Sequence, residues 1–434
     1  MPLRFRLPIL FSIAFTFALL RSGGQTLYFP PLNNSAPWDS LSPASLGWCP
    51  DRIDSLYRFL SERRTKAFIV LKDGKRVLEK YFGTFTQDSA WYWASAGKTI
   101  TAFLTGKAQE DGFLRISDTS SRYLGVGWTN CTPAQEQRIT IRNQLTMTSG
   151  LDDGVPENHC TIDTCLNYLA EPGTRWAYHN APYTLLERVL TTATGLPINT
   201  YTQNVLKSKT GMTGQWFTID YNNVFYSRAR SMARFGLLIQ NNCIWKTDTL
   251  LRDSAYVRQM VNTSQTINRG YGYLWWLNGR SSYMVPTLQL VFPGSYAPAA
   301  PYDMYAGLGK NGQILSVAPS KGLVMVRMGE SPGDNGEVPT ELCNNIWERL
   351  NFVMCSSVVS RTYTFTGNGN WTLASNWEAG LVPPAVLPNG DQIIINPVIG
   401  GECVLNTSQT VPRGSILRVV AGKRFRIQGN LSME

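Results

Sequence analysis

Between residues 51 and 64 the chain reads DRIDSLYRFLSERR, with apolar side chains at Ile53, Leu56, Tyr57 and Leu60 and charges between them. Spacings of three and four residues gather such a set on one side of a helix. The period then shortens. In AFIVLKDGKRVLEKYFG (67–83) two β-rich runs flank Asp73-Gly74, a dipeptide suited to a tight hairpin turn. From Thr99 to Glu110 the helical period returns, with Ile100, Phe103, Leu104 and Ala108 on one face. Residues 115–280 mix helical pieces such as APYTLLERVLTTATG with long loops. GYGYLWWLNG, GQILSVAP and GLVMVRMG follow as strand-like runs, and PTELCNNIWERLNFVM (339–354) closes as an amphipathic helix.

The order helix, hairpin, helical insertion, strands, helix predicts an α+β fold. Its antiparallel sheet is flanked by N- and C-terminal helices, with an inserted α-rich lobe. The pattern changes near Ser357. Residues 358–434 carry short apolar runs broken by Gly, Asn and Pro, which predicts a small all-β module beside a main domain of residues 25–357. The module reads as a structural appendage. A glycan or other surface partner would require Trp371 and Trp377 to be exposed.

Composition narrows the class. Of 434 residues 43% are hydrophobic, with 13 Trp and 19 Tyr, enough to bury a sizeable core. The formal charge is +10, but the basic residues are scattered, so no nucleic-acid-binding stripe is indicated. Arg4 and Arg6 precede LPILFSIAFTFALL, and Ser22 and Gly24 are small. Residues 1–24 therefore read as a signal peptide cleaved before Gln25. No second apolar run of membrane length occurs, so no span is expected after its removal, and the protein is predicted to be secreted or periplasmic. Eight cysteines suit that compartment. Cys160 and Cys165 are close enough to pair; the pairing of the others is open. Only His159 and His179 accompany them, without zinc-site spacing, so no metal and no cofactor are expected.

The candidate chemistry lies in WASAGKTITAFL (93–104), which reads in two frames. Gly97-Lys98-Thr99 looks like the end of a phosphate-binding loop. Such a loop needs a glycine where this chain has Tyr92, and aromatic bulk cannot replace that turn. In the other frame Ser95 and Lys98, at i and i+3 of a starting helix, share a face. A lysine so placed takes the hydroxyl proton and makes Ser95 a nucleophile. Tyr178-His179-Asn180 reads as an exposed loop before a helix. Tyr178 would shuttle a proton and Asn180 would donate to a substrate carbonyl. Tyr221-Asn222-Asn223 has the same letters without that context. A Ser-His-Asp arrangement is disfavoured because Trp93 stands where a nucleophile elbow has glycine.

S-x-x-K, Y-x-N and a late Gly-rich strand together resemble the serine β-lactamase and penicillin-binding protein superfamily. The likeness is to the class C-like branch that includes family VIII esterases and D-aminopeptidases. ITIRNQLTMTSGL, EPGTRWAYHNAPYTLLERV and ARSMARFGLLI resemble further segments of that branch, and the likeness covers about residues 40–355. It implies a Ser95-Lys98-Tyr178 acyl-enzyme mechanism. Asn180, Gly307, Gly309 and Gln313 would lie along the substrate, and N–H groups of Ser95 and of a residue near Gly309 would form the oxyanion hole. In place of the family's third box, Lys209-Thr210-Gly211 is a decoy in a helix-to-turn segment. YAGLGKNGQILSV is the positional equivalent, with Gly307 where a cation is usual. That departure weakens carboxylate recognition. Hydrolysis of a small ester or amide, or of a cell-wall-like peptide, is therefore expected ahead of β-lactam turnover or a non-catalytic binding role.

Overall fold

The computed structural model describes residues 27–33, 36–333, 338–355, 361–388, 391–412 and 415–433. The expected signal peptide, and the boundary near residue 357, lie outside them. Hydrophobic strands flanked by turn residues assemble one antiparallel sheet. Its members are β1 (Thr65–Lys72), β2 (Lys75–Tyr81), β3 (Trp276–Leu277), β4 (Tyr305–Gly309), β5 (Gln313–Ala318) and β6 (Leu323–Gly329), in the spatial order β2-β1-β6-β5-β4-β3. Asp73 and Gly74 turn β1 into β2 with φ of 49° and 84°, the double left-handed turn that matches the twist of paired strands.

Helices cover both faces of this sheet. On one side lie α1 (Ile53–Glu62) and the closing helix α4 (Thr340–Val353), with Trp347 Nε1 donating to Ser316 Oγ of β5 at 3.1 Å. The ends of this pair are joined by a Cys49–Cys355 disulfide. On the other side lie α2 (Lys98–Glu110) and α3 (Ala229–Gln240). At Gly236 of α3 an added Cβ would fall 2.5 Å from Val324 and 2.8 Å from Leu315, so the helix rests directly on β5 and β6. Residues 82–275, between β2 and β3, form the inserted lobe, in which a local Cys160–Cys165 disulfide closes.

Two elements differ from the pattern reading. Helix α2 is not one-sided: Lys98 through Gly106 are all buried. Its polar residues tolerate this because their hydroxyls bond inward, Thr99 Oγ1 to Ala96 O at 2.7 Å and Thr105 Oγ1 to Thr101 O at 2.8 Å. In GYGYLWWLNG only Trp276–Leu277 is extended in the sheet. Leu274 has φ of 60°, and Gly272 is pressed against Met260 O, which bends the run away.

The C-terminal segment is all-β, but its strands stack in parallel. Residues 362–365, 392–395 and 416–419 form one short sheet, 369–370, 402–405 and 424–427 a second, and 408–411 with 430–433 a third. The chain thus winds in coils around its own apolar cluster. Trp371 and Trp377 are 1% and 3% exposed and meet edge to face at 4.7 Å in that cluster. This corrects the condition set for a glycan or surface partner: both rings fill the core, because coils this narrow need bulky side chains to close them. Among the described residues no helix is long and apolar enough to cross a membrane.

Candidate active site

The strand Ala90–Tyr92 ends at Trp93, whose N–H donates to Phe225 O at 2.8 Å and whose indole Nε1 donates to Ser227 Oγ at 2.8 Å. With Trp93 buried and pinned, the chain turns through Ala94 at φ 45°, a conformation that costs a non-glycine residue on the order of 1 kcal/mol. Ser95 follows, half-buried, on the single 3₁₀ turn Ala94–Gly97 that runs into α2. The strained turn lifts the hydroxyl out of the packed layer.

Lys98, 3% exposed, donates from Nζ to Ser95 Oγ at 3.0 Å and to Asn180 Oδ1 at 2.8 Å. Nζ also lies 4.1 Å from the ring centroid of Tyr183 and 5.1 Å from that of Tyr178. The structure therefore brings Ser95, Lys98, Tyr178 and Asn180 together around one nitrogen. Tyr178 is not on an exposed loop. It is 4% exposed and packs against Trp176, Tyr271 and Trp276, an aromatic cluster that fixes its ring. Asn180 begins the short helix Asn180–Thr184. Its Nδ2 donates to Asn158 Oδ1 at 2.9 Å, and the same oxygen accepts the Asn180 backbone N–H at 3.0 Å. Asn158 thereby turns the Asn180 carbonyl toward Lys98. Of the two N–H donors of that amide, one is committed here.

Gly307 and Gly309 lie on β4, directly beside the Ser95 turn. A Cβ at 307 would come within 2.9 Å of Thr99 Cγ2, and one at 309 within 2.4 Å of Trp93 O and 3.1 Å of Ser95 N. The close approach of strand to turn thus rests on both glycines, and no side chain fits at 309 without backbone movement. Gln313 is placed differently. Fully buried, it donates from Nε2 to Gly329 O at 2.7 Å and accepts the Gly329 N–H at Oε1 at 3.1 Å. Its Nε2 also reaches Lys310 O at 3.3 Å and Asn311 O at 3.2 Å, so Gln313 ties the β4–β5 turn to the end of β6. Buried Arg327 adds to this tie, with Nη1 donating to Asn311 O at 2.8 Å and Gly312 O at 2.7 Å. Neither Asn158 nor Arg327 stands out in the sequence, since each acts through partners far along the chain.

The decoys fall outside this centre. Lys209 and Thr210 end a short helix, with Gly211 at φ 70° as its cap. Asn222 Oδ1 accepts from the His159 ring Nδ1 at 2.5 Å. His179 is 2% exposed, and neither ring nitrogen has a hydrogen-bond partner among the described residues. Burial lowers its pKa to about 4, Arg175 and His159 adding to the effect against Asp153 and Asp152, so the ring is neutral at pH 7. No His/Cys/Asp/Glu group suited to a metal ion occurs among the described residues.

The family described as Beta-lactamase matches residues 53–342. PbpX of Bacillus subtilis (strain 168), described as a penicillin-binding protein, is 27% identical over 172 residues, 36% of this chain and 42% of its own length. The match thus spans less than half of that curated relative. Among solved structures, a Bacillus anthracis protein described as a 6-aminohexanoate-dimer hydrolase superposes with a TM-score of 0.54 at 18% identity, over 73% of this chain and 87% of the other. A Bacteroides dorei DSM 17855 protein described as a beta-lactamase gives 0.56 at 18% identity, over 71% and 100%. At such identities the likeness is one of fold.

Proposed function

The chain belongs to the beta-lactamase family, and on that footing we propose that it is a hydrolase of ester or amide bonds with Ser95 as nucleophile. The observation that carries this reading is the 3.0 Å contact between the Nζ of buried Lys98 and the Oγ of half-buried Ser95. In its neutral form Lys98 takes the hydroxyl proton as Ser95 Oγ bonds to the carbonyl carbon. Backbone N–H groups of Ser95 and of the Gly309 end of β4 hold the oxyanion. Tyr178 delivers a proton to the leaving group, and Asn180 steadies the substrate carbonyl. Water then attacks the acyl-enzyme, its proton passing to the Tyr178 oxygen, while Lys98 returns its extra proton to Ser95 Oγ as the acid leaves.

Small esters and peptide-like amides are favoured over β-lactams. Gly307 supplies no cation for a substrate carboxylate, and a side chain there would have to displace the Thr99 methyl, 2.9 Å from an added Cβ. The test is hydrolysis of a p-nitrophenyl short-chain ester, a D-amino-acid amide and a chromogenic cephalosporin, alongside Ser95→Ala. Turnover of the first two that vanishes in the variant is the expected result. No turnover of any, with no acylation by a fluorescent penicillin, would favour a non-catalytic binding role. Export to the periplasm or medium is part of the proposal and is supported by the Cys49–Cys355 and Cys160–Cys165 bridges, which suit an oxidising compartment. Fractionation of the producing cells tests it.

A further inference from the structure

Beside Tyr178 lies a cavity of about 400 Å³ whose wall includes Asp152, Asp153, Asn158, Arg175 and Thr287. Asn158 is the residue that orients Asn180, so the cavity and the catalytic centre share a wall. The charges in this wall do not cancel. Arg175 Nη1 lies 2.7 Å from Asp153 Oδ1 and neutralises that carboxylate. Asp152 has no basic partner within ion-pair distance among the described residues; its Oδ1 accepts only the N–H of Gly154 at 2.9 Å. His179, between Tyr178 and Asn180, interacts with both carboxylates yet stays uncharged. The cavity is therefore net negative in a chain that is net positive overall.

Val155 and Thr287 complete the wall near the carboxylates. Thr287 belongs to a loop held in place by Gln289 Nε2, which donates to Trp176 O at 3.0 Å. On that loop Leu288, Leu290 and Val291 are 43%, 60% and 57% exposed, an apolar stretch of surface that follows the lining residue Thr287 in the chain.

We infer that this cavity receives an ammonium group of the substrate, with Asp152 as its counter-ion and the exposed apolar loop that carries Thr287 against the adjoining hydrocarbon. This rests on the hydrolase reading for its placement at the reacting carbonyl. It gives that reading a substrate class: esters or amides carrying a free amine on an aliphatic arm. The same site would disfavour an arm that ends in a carboxylate, since a second anion beside Asp152 meets like charge in a partly enclosed space.

The experiment uses the full chain and three p-nitroanilides matched in carbon count: 5-aminopentanoyl, pentanoyl and glutaryl. Binding is measured by calorimetry on Ser95→Ala, so that it does not depend on chemistry, and turnover is measured on the native protein. The cationic compound should bind about tenfold tighter than the neutral one, and the glutaryl compound weakest. Asp152→Asn keeps an acceptor for the Gly154 N–H and should bring the cationic-to-neutral ratio near one. Raising the salt concentration should narrow the ratio in the native protein even without the variant. Equal binding of all three, or a preference for glutaryl, overturns the inference. If the binding order holds but no compound is hydrolysed, the cavity assignment stands and the hydrolase reading fails.

Discussion

Lys98 Nζ sits between a hydroxyl, an amide oxygen and two aromatic faces, with almost no contact to water. Such a nitrogen has no simple substitute. Lys98→Met should keep the fold by near-UV circular dichroism yet lower kcat by about 10²–10⁴-fold, the usual size of a lost proton-transfer group. Lys98→Arg should not restore it, because a guanidinium does not give up its proton. A second buried group gives a pH signature. Burial raises the Glu187 carboxyl to about 7 from its ordinary 4.5, and its Oε2 has no partner among the described residues. The folded state holds this proton more tightly than the unfolded chain does. Its contribution is thus complete below about pH 4.5 and is lost as pH rises through 7. Glu187→Gln should raise stability by on the order of 1–3 kcal/mol at pH 8 and leave it unchanged at pH 4. Equal thermal shifts at both pH values would contradict that account. At this scale the sequence shows what acts through local spacing. Ser95 and Lys98 are legible three residues apart. Asn158 is not, because its role depends on an amide 22 residues away, nor is Arg327, whose guanidinium reaches from β6 to the carbonyls of a separate turn.

The β4 strand and the Ser95 turn define how closely two elements can approach. Gly309→Ala places a methyl against backbone atoms of Trp93 and Ala96, at 2.4 and 2.9 Å, which cannot rotate aside. Gly307→Ala meets the methyl of Thr99, which can shift. The first substitution should lower both thermal midpoint and kcat strongly, by ~1–3 kcal/mol in stability; the second should cost less on both measures. The reverse order would mean that the turn, and not the strand, gives way. Hairpin β1–β2 and helices α1 and α4 follow legibly from period and turn chemistry. Helix α2 misleads because its threonines look polar while their hydroxyls are satisfied inside the helix. The parallel coils are hidden for another reason: residues 392 and 416, or 402 and 424, stand side by side, whereas short apolar runs with turn residues between them also fit antiparallel hairpins.

In the molecule as a whole, two apolar clusters remain separate, one built from residues 38–353 and one from 363–411. Removing 358–434 should leave kcat/KM within about twofold and preserve a cooperative unfolding transition. Trp371→Ala should destabilise the coils alone, by about 3 kcal/mol or more, read as loss of one of two unfolding transitions. The Cys49–Cys355 bridge works at the same scale. It joins positions 306 residues apart, so replacing both cysteines with serine should lower stability by about 3–5 kcal/mol through the longer free loop of the unfolded chain.

That bridge also has a mechanical consequence. Cys355 is the last residue described before the coils begin at 361. Tension between an anchor upstream of Cys49 and a tether on the coils would cross from Cys355 to Cys49 through the sulfur atoms. Residues 50–354, with the sheet and the Ser95 turn, then lie on a slack branch of the covalent path. Drag on the coils would stretch the connections on either side of the bond before it pulled a strand out of register.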